Sequence, residues 1–205
     1  MKSRIDNKFE VKSLIHLYNE LGLEERKERL SEDANNKDIE SKVTNPSILS
    51  EIGMPDRLIE ACYHVEFAAN KLDCFAEYGN KSYLNEADEH YKKFLSLIPR
   101  SSIPIMQAIT SSAIRYFSIE RYFSKRIKRK DQFTESEVIF YHSSRGGDSE
   151  VYGELVRLAN KQMPGMISGI KHRQNLWDLA DDIRDLDLDR KNLGVNLLLM
   201  ANLND

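Results

Sequence analysis

The chain is short of the residues that turn a backbone. Nine glycines and five prolines among 205 residues fall below the roughly 12 % of average usage. That excludes a sandwich or barrel, which must turn every eight to twelve residues or so. Cysteine is scarce as well. Cys62 and Cys74 have no CxxC spacing and are too few for a disulfide framework; both sit in an apolar helical pattern and read as buried thiols. No run of about 18 uncharged apolar residues occurs, so no integral membrane segment is expected. The opening MKSRIDNKFE lacks the apolar core of a signal peptide, and a cytoplasmic protein is the expectation. A surplus of one charge is also missing. Thirty Lys+Arg stand against 33 Asp+Glu, a formal net charge of −3, which gives no drive toward nucleic acid. The basic run KRIKRK at 125–130 suits the negative end of a helix. There is no HExxH, no ExxH pair, no GxGxxG, no GxxxxGK and no nucleophile elbow, which disfavours zincin, di-iron, nucleotide-loop and serine-hydrolase chemistry.

What is present is helical. The chain is 40 % hydrophobic and 31 % charged, with mean hydropathy −0.55: enough apolar surface for a core inside a well-solvated exterior. Phe9, Val11, Leu14, Ile15, Leu17, Tyr18 and Leu21 recur at three- and four-residue steps, predicting a helix from about residue 8. Residues 31–44 are polar and read as a linker. Asn45-Pro46 and Gly53 bracket a short helix, with Asn45 as its N-cap. A long helix follows from Pro55 to Tyr78, closed by Gly79. Further helices are predicted at 82–97, at 103–128, from the capping box Thr134–Glu137 to Arg145, from 148 or 149 to about Met163, over 166–189, and onward to Leu203. No segment alternates with period two. The fold class is therefore an all-α bundle of seven to nine helices. Residues 1–54 form an N-terminal helix, linker and short helix, and 55–205 a helical core, together one compact domain.

Two acidic seams stand out. In NLWDLADDIRDLDLD, Asp178, Asp181, Asp182, Asp185 and Asp189 share one helical face, while Leu176, Leu179, Ile183 and Leu186 form a separate apolar stripe expected to pack inward. Each like-charged i,i+3 or i,i+4 pair costs about 0.2–0.5 kcal/mol, which a divalent cation would relieve. Hard cations such as Mg²⁺ take carboxylate oxygens together with phosphate. On the long helix 55–78, Glu66, Asn70, Asp73 and Glu77 fall on one face amid largely apolar neighbours. Buried polar groups must be paired, hydrated or ligand-bound. The seams can also be read as a solvated acidic face and a buried hydrogen-bond network.

The string Asp181-Asp182-Ile183-Arg184-Asp185, continued by Leu186-Asp187-Leu188-Asp189, resembles the second aspartate-rich motif of class I isoprenoid synthases. It reads as DDxxD through Asp181, Asp182 and Asp185, and as the cyclase-type triad through Asp181, Asp185 and Asp189. Arg184 is similar to the arginine of the NxxRD form, and Gly194 through Leu199 resemble the glycine and apolar helix that follow. Asp73 and Glu77 take the aspartate positions of the first motif. The resemblance covers about residues 56–203 and implies an isoprenoid-synthase-like bundle that binds a prenyl diphosphate. It implies Mg²⁺ or Mn²⁺ held by Asp181, Asp182, Asp185 and Asp189 opposite Asp73 and Glu77. Arg145, Lys171, Arg184 and Arg190 become the candidates for the diphosphate. If active, such a chain is a prenyltransferase or terpenoid synthase. The first seam has no doubled aspartate and ends in Glu, and no GGK-R signature is present. A second reading thus stays open: a catalytically degenerate helical partner or regulatory subunit in a homo- or hetero-oligomer. Both long helices should be central and line one cavity.

Overall fold

The computed structural model describes residues 13–20, 43–99, 103–145, 148–159, 164–192 and 194–202. Among these there are helices and no strand, and the element order is as follows. Helices α1 (Leu14–Glu20) and α2 (Asn45–Glu51) precede the hairpin of α3 (Asp56–Tyr78) and α4 (Lys81–Leu97). Then α5 (Ile103–Ile114) runs through a π-helical turn (Arg115–Ile119) into α6 (Glu120–Lys128). Helices α7 (Glu135–Arg145) and α8 (Asp148–Leu158) follow. Helix α9 (Pro164–Arg184) breaks at Asp185 into α10 (Leu186–Asn192), and α11 (Leu197–Asn202) comes last. With the two interrupted helices counted once each, nine helices are present among the described residues, an all-α bundle as the periodicity predicts. Residues 8–12, most of the polar stretch 31–44, Gly146, Gly147 and the predicted helix end at Met163 lie outside the described residues.

The hairpin is the centre of the bundle. Helix α3 buries Leu58, Ala61, Cys62, Phe67, Ala68, Leu72 and Phe75, and α4 buries Leu84, Ala87, Tyr91 and Phe94. Gly79 adopts φ 74° and its N–H returns to the Phe75 carbonyl at 2.9 Å, a left-handed stop that favours glycine. Asn80 then caps α4, its side chain accepting from the Ser82 N–H at 2.8 Å. Around the hairpin pack α1, α2, α8 and the π turn. Leu14, Leu17 and Leu49 enter the same core, so the described N-terminal helices belong to one body with the rest. A smaller cluster of Phe123, Ile127, Phe133, Tyr141 and Met200 joins α6, α7 and α11. The capping box forms as expected: Thr134 N–H donates to Glu137 Oε2 at 2.8 Å, and Glu137 N–H donates to Thr134 Oγ1 at 3.2 Å.

Helices of seven residues such as α1 and α2 are too short to persist alone. Each is held by a buried carboxylate from the hairpin. Asp88 on α4 accepts from Ser13 Oγ at 2.8 Å and from the Leu14 and Ile15 N–H groups at 2.6 and 3.4 Å; Lys92 lies 2.6 Å from its other oxygen. Burial alone would raise this carboxyl, but the bonds from Lys92, Ser13, Leu14 and Ile15 hold it below the usual carboxylate range. Glu66 on α3 does the same for α2, accepting from Thr44 N–H at 3.3 Å, Asn45 N–H at 3.1 Å and Asn45 Nδ2 at 3.0 Å. Asn45 is thus a buried member of α2 and not its N-cap, and Glu66 serves as an N-terminal anion.

One expectation reverses. The stripe Leu176/Leu179/Ile183/Leu186 does not face inward: Leu176 is 68 % and Ile183 60 % exposed, while Asp182 is 3 % exposed. Helix α9 turns its acidic face to the bundle because a guanidinium waits there, and it packs on α7, α8 and α11. It lies at the side of the hairpin's core and not at its centre.

Replacing Asp88 by Ala should leave buried donors at the start of α1 without an acceptor, at a cost of about 1–3 kcal/mol. Urea unfolding measures that loss. Native-state hydrogen exchange should show α1 amides exchanging far faster than α3 amides, and unchanged protection of Leu17 would contradict the capping role.

Candidate functional site

The site is built where α7, α9, the π turn and the start of α11 converge. Arg145 ends α7 and points inward. Its Nη1 lies 2.5 Å from Asp182 Oδ2, its Nε 3.7 Å from Asp178 Oδ2, and the guanidinium stands 5.4 Å from the Tyr141 ring centre one turn earlier. The Tyr141 hydroxyl donates to Glu120, 3.1 and 3.2 Å from its two oxygens. Glu120 in turn faces Arg115 across the π turn, 3.7 Å from Nη1. Five residues of α-helix would set side chains about 140° apart; the π turn, bonded from Glu120 N–H to the Arg115 carbonyl, keeps this pair together. π turns recur at functional positions for such reasons.

Asn196 closes the arrangement from the other side. Wholly buried, it donates through Nδ2 to the Asp182 carbonyl at 2.7 Å and to Asp189 Oδ2 at 2.9 Å. Its Oδ1 accepts from Leu198 and Leu199 N–H groups at 3.0 and 3.4 Å, capping α11. Leu197 N–H reaches Asp182 Oδ2 at 3.3 Å. Gly194 permits this closeness, since a Cβ there would lie 2.3 Å from Asp189 Oδ1.

The electrostatics follow from burial. Glu120 is pushed up to about 7, first by desolvation, against the pull of Arg115 and with a further push from Asp73. Desolvation raises Asp182 against the pull of Arg145. Asp189 rises to about 6, again chiefly by burial, against the Asn196 bond and with the charges of Asp185 and Asp182 adding to the rise. The Tyr141 hydroxyl is pushed well up by burial and by Glu120. The charge of Asp73 acts on both Glu120 and Tyr141, and that of Asp182 on Tyr141, so a carboxylate of each seam influences the Tyr141 hydroxyl.

The predicted residues divide. Arg145 and Asp182 form the centre, with Asp178 and Asp189 beside them. Asp181 and Asp185 lie toward solvent and bind Arg184, which reaches Asp181 Oδ1 and sits 3.2 Å from Asp185 Oδ1. Asp73 is exposed on α3. Glu77 is on α3, and its side chain lies outside the described residues. Lys171 is exposed on α9. Arg190 is turned to Asp187 at 3.5 Å on the exterior. Among the described residues no group of three or more His, Cys, Asp or Glu stands together as a metal cluster; the cation at the buried carboxylates is Arg145. Sequence reasoning missed Arg115, Glu120, Tyr141 and Asn196. Only Asn196 carries a signal, an asparagine directly before the apolar helix LLLM.

An apolar cavity lies between α3, α5 and α8. Its volume of about 30 Å³ is lined by α3 (Val65, Leu72), α5 (Ile109, Ser112) and α8 (Val151, Tyr152), among others. That is room for about two water molecules. Asp73 directly follows Leu72, and Arg115 lies one turn beyond Ser112, so two wall residues are close in sequence to charged residues. Ser112 Oγ is buried without a hydrogen-bond partner, a lone polar atom in an apolar wall. Compared with family models, curated proteins and solved structures, the chain matches none.

Glu120 sets a pH dependence with a definite sign. Its carboxyl is raised from 4.5 to about 7, so the stability it contributes is present in full below the unfolded value and is lost as pH rises through about 7. The variant Glu120→Gln should therefore gain in melting temperature relative to the parent between pH 5 and pH 8. A difference that stays constant over that range would contradict the assignment.

Proposed function

We propose that the chain binds an amphiphilic anion of the prenyl diphosphate type, as a class I isoprenoid-synthase-like protein. The observations that carry this reading are a charged network whose central group is a guanidinium and an apolar cavity whose wall residues Leu72 and Ser112 lie within three residues in sequence of Asp73 and Arg115. An isoprenoid diphosphate is apolar over its length and multiply anionic at one end. The apolar walls of α3, α5 and α8 suit a hydrocarbon once they part to admit it, and Arg145 suits the phosphates, since guanidinium forks pair with phosphate as they do with carboxylate.

The acidic seam supports a role for Mg²⁺ or Mn²⁺. The donor set of Asp178, Asp181, Asp182, Asp185 and Asp189 is hard oxygen throughout, the chemistry these ions select. Asp181 and Asp185 on the solvent side and Asp189 beside Asn196 would hold the metal, with Asp182 shared with Arg145 and with Asp73 and Glu77 on α3. A bound ion supplies charge stabilisation for a departing diphosphate. The residues of the chain do the rest. Arg145 donates to phosphate oxygens, Arg184 releases Asp181 and Asp185, and Tyr141 and Glu120 hold the Arg145 side of the site in place. Water is kept from the hydrocarbon by Val65, Leu72, Ile109 and Tyr152.

The exposed apolar side chains on α9 and α10 favour a second reading. Leu176, Trp177, Ile183 and Leu188 all face outward, and singly exposed apolar residues are ordinary but a series on adjoining helices suits a partner. In that reading the same fold is a non-enzymatic subunit of an oligomer.

The experiment is a calorimetric titration with geranyl and farnesyl diphosphate, with and without Mg²⁺, joined to an assay for released diphosphate. Binding should require Mg²⁺, weaken at least about tenfold, or 1.4 kcal/mol, in Arg145→Gln, and be abolished in Asp181→Asn and Asp185→Asn. Asp187→Asn, on an exterior side chain, should bind like the parent. Binding without diphosphate release selects the subunit reading. No binding, or equal binding by all variants, overturns the proposal.

A further inference from the structure

A second constellation lies away from Arg145, on the α3–α4 hairpin. His64 is nine residues from Asp73 on α3, about 13 Å of helix rise. The Nδ1 atoms of His64 and His90 are 3.0 Å apart, with ring centres at 5.0 Å and planes at 68°. The rings are held from outside. Phe67 stacks on His90 at 4.0 Å and 14°, and Tyr63 meets His64 edge-on at 5.3 Å. Both histidines are half-buried, so the pair is fixed by the core yet reachable from water.

Two imidazoles at this distance share one hydrogen: one Nδ1–H donates to the other Nδ1. Both rings are held toward the neutral form. Desolvation lowers His64, helped by Lys93 and opposed by Glu60, and takes His90 to about 4, helped by His64, Lys93 and Lys71 and opposed by Glu86. A neutral imidazole moves its hydrogen to Nε2 at no cost in charge, which frees both Nδ1 lone pairs at once. With metal–nitrogen distances of about 2.0–2.1 Å, a separation of 3.0 Å subtends about 95° at an ion between them. That is the angle of adjacent positions in a tetragonal complex, the geometry of Cu²⁺ and Ni²⁺, and is narrower than the tetrahedral angle preferred by Zn²⁺.

We propose that His64 and His90 form a two-imidazole site for Cu²⁺ or Ni²⁺ that clips α3 to α4, its remaining positions taken by water or a small ligand. The surrounding charges permit a dication. Glu60 lies one turn before His64 on α3 and is exposed, within reach as an outer oxygen donor. Of the two cations nearby, Lys71 is buried and neutralised by Glu86 at 2.6 Å, leaving Lys93 as the opposing charge. Mg²⁺, which selects oxygen, would not bind here, so this site is independent of the acidic seam and of the function proposed for it.

The test uses the full chain at pH 7.5 without added diphosphate. Titration with NiCl₂ or CuCl₂ followed by calorimetry should show one ion bound per chain at this site, with affinity unchanged by prior saturation with MgCl₂. Ni²⁺ should raise the melting temperature, because the ion binds the folded hairpin. His64→Gln and His90→Gln should each weaken binding at least tenfold, while His172→Gln, an exposed histidine on α9, should leave it unchanged. If a variant fails to fold, electron paramagnetic resonance of the Cu²⁺-loaded parent decides, since two nitrogen ligands must appear in its hyperfine pattern. Unaltered affinity in folded His64→Gln and His90→Gln, or a parent spectrum with one nitrogen or none, would overturn the site.

Discussion

The pairing of Arg145 with Asp182 governs how the C-terminal half of the chain assembles. An amphipathic helix ordinarily buries its apolar stripe, and α9 has one. Yet Asp182 and Asp178 turn inward and Leu176 and Ile183 turn out. The outcome is a matter of magnitudes. A buried guanidinium without a partner costs several kcal/mol, whereas one exposed leucine forgoes about 1.5–3 kcal/mol of burial. Once Arg145 is held inside by the ring of Tyr141, the carboxylates must come to it. The rest is arranged behind them: Asn196 reads the backbone of Asp182, caps α11 and binds Asp189, and Gly194 leaves room for that carboxylate.

The same logic of a buried anion meeting unpaired donors holds the other half together. Asp88 and Glu66 each close the open end of a seven-residue helix with bonds that span more than twenty residues of sequence. Three roles recur among the described acidic residues. Some anchor helix ends, some surround a guanidinium, and Asp181 and Asp185 on α9 remain toward solvent with Arg184 as their counter-ion.

Much of this was legible in the sequence and part was not, for physical reasons. The apolar run of α3, its stop at Gly79, the capping box at Thr134–Glu137 and the acidic seam at 178–189 are local signals, and the structure has each of them. Arg145 was singled out from its position in the chain. The orientation of α9 was not legible, because periodicity ranks faces by hydropathy and carries no knowledge of a distant guanidinium. Glu66 was assigned to a seam, since nothing local reveals that its carboxylate caps α2. Glu120 and Tyr141 sit in aromatic-rich helices that read as ordinary core, and only the π turn, a tertiary feature, brings Arg115 to Glu120.

A double-mutant cycle on Arg145→Met and Asp182→Leu tests the central pairing most directly. Each single variant leaves one buried charge alone and should cost about 3–5 kcal/mol in urea unfolding, while the double variant, with both charges replaced by apolar groups, should cost clearly less than either. Additive losses in the double variant would mean that Arg145 and Asp182 do not depend on each other, and that some other force turns the acidic face of α9 inward.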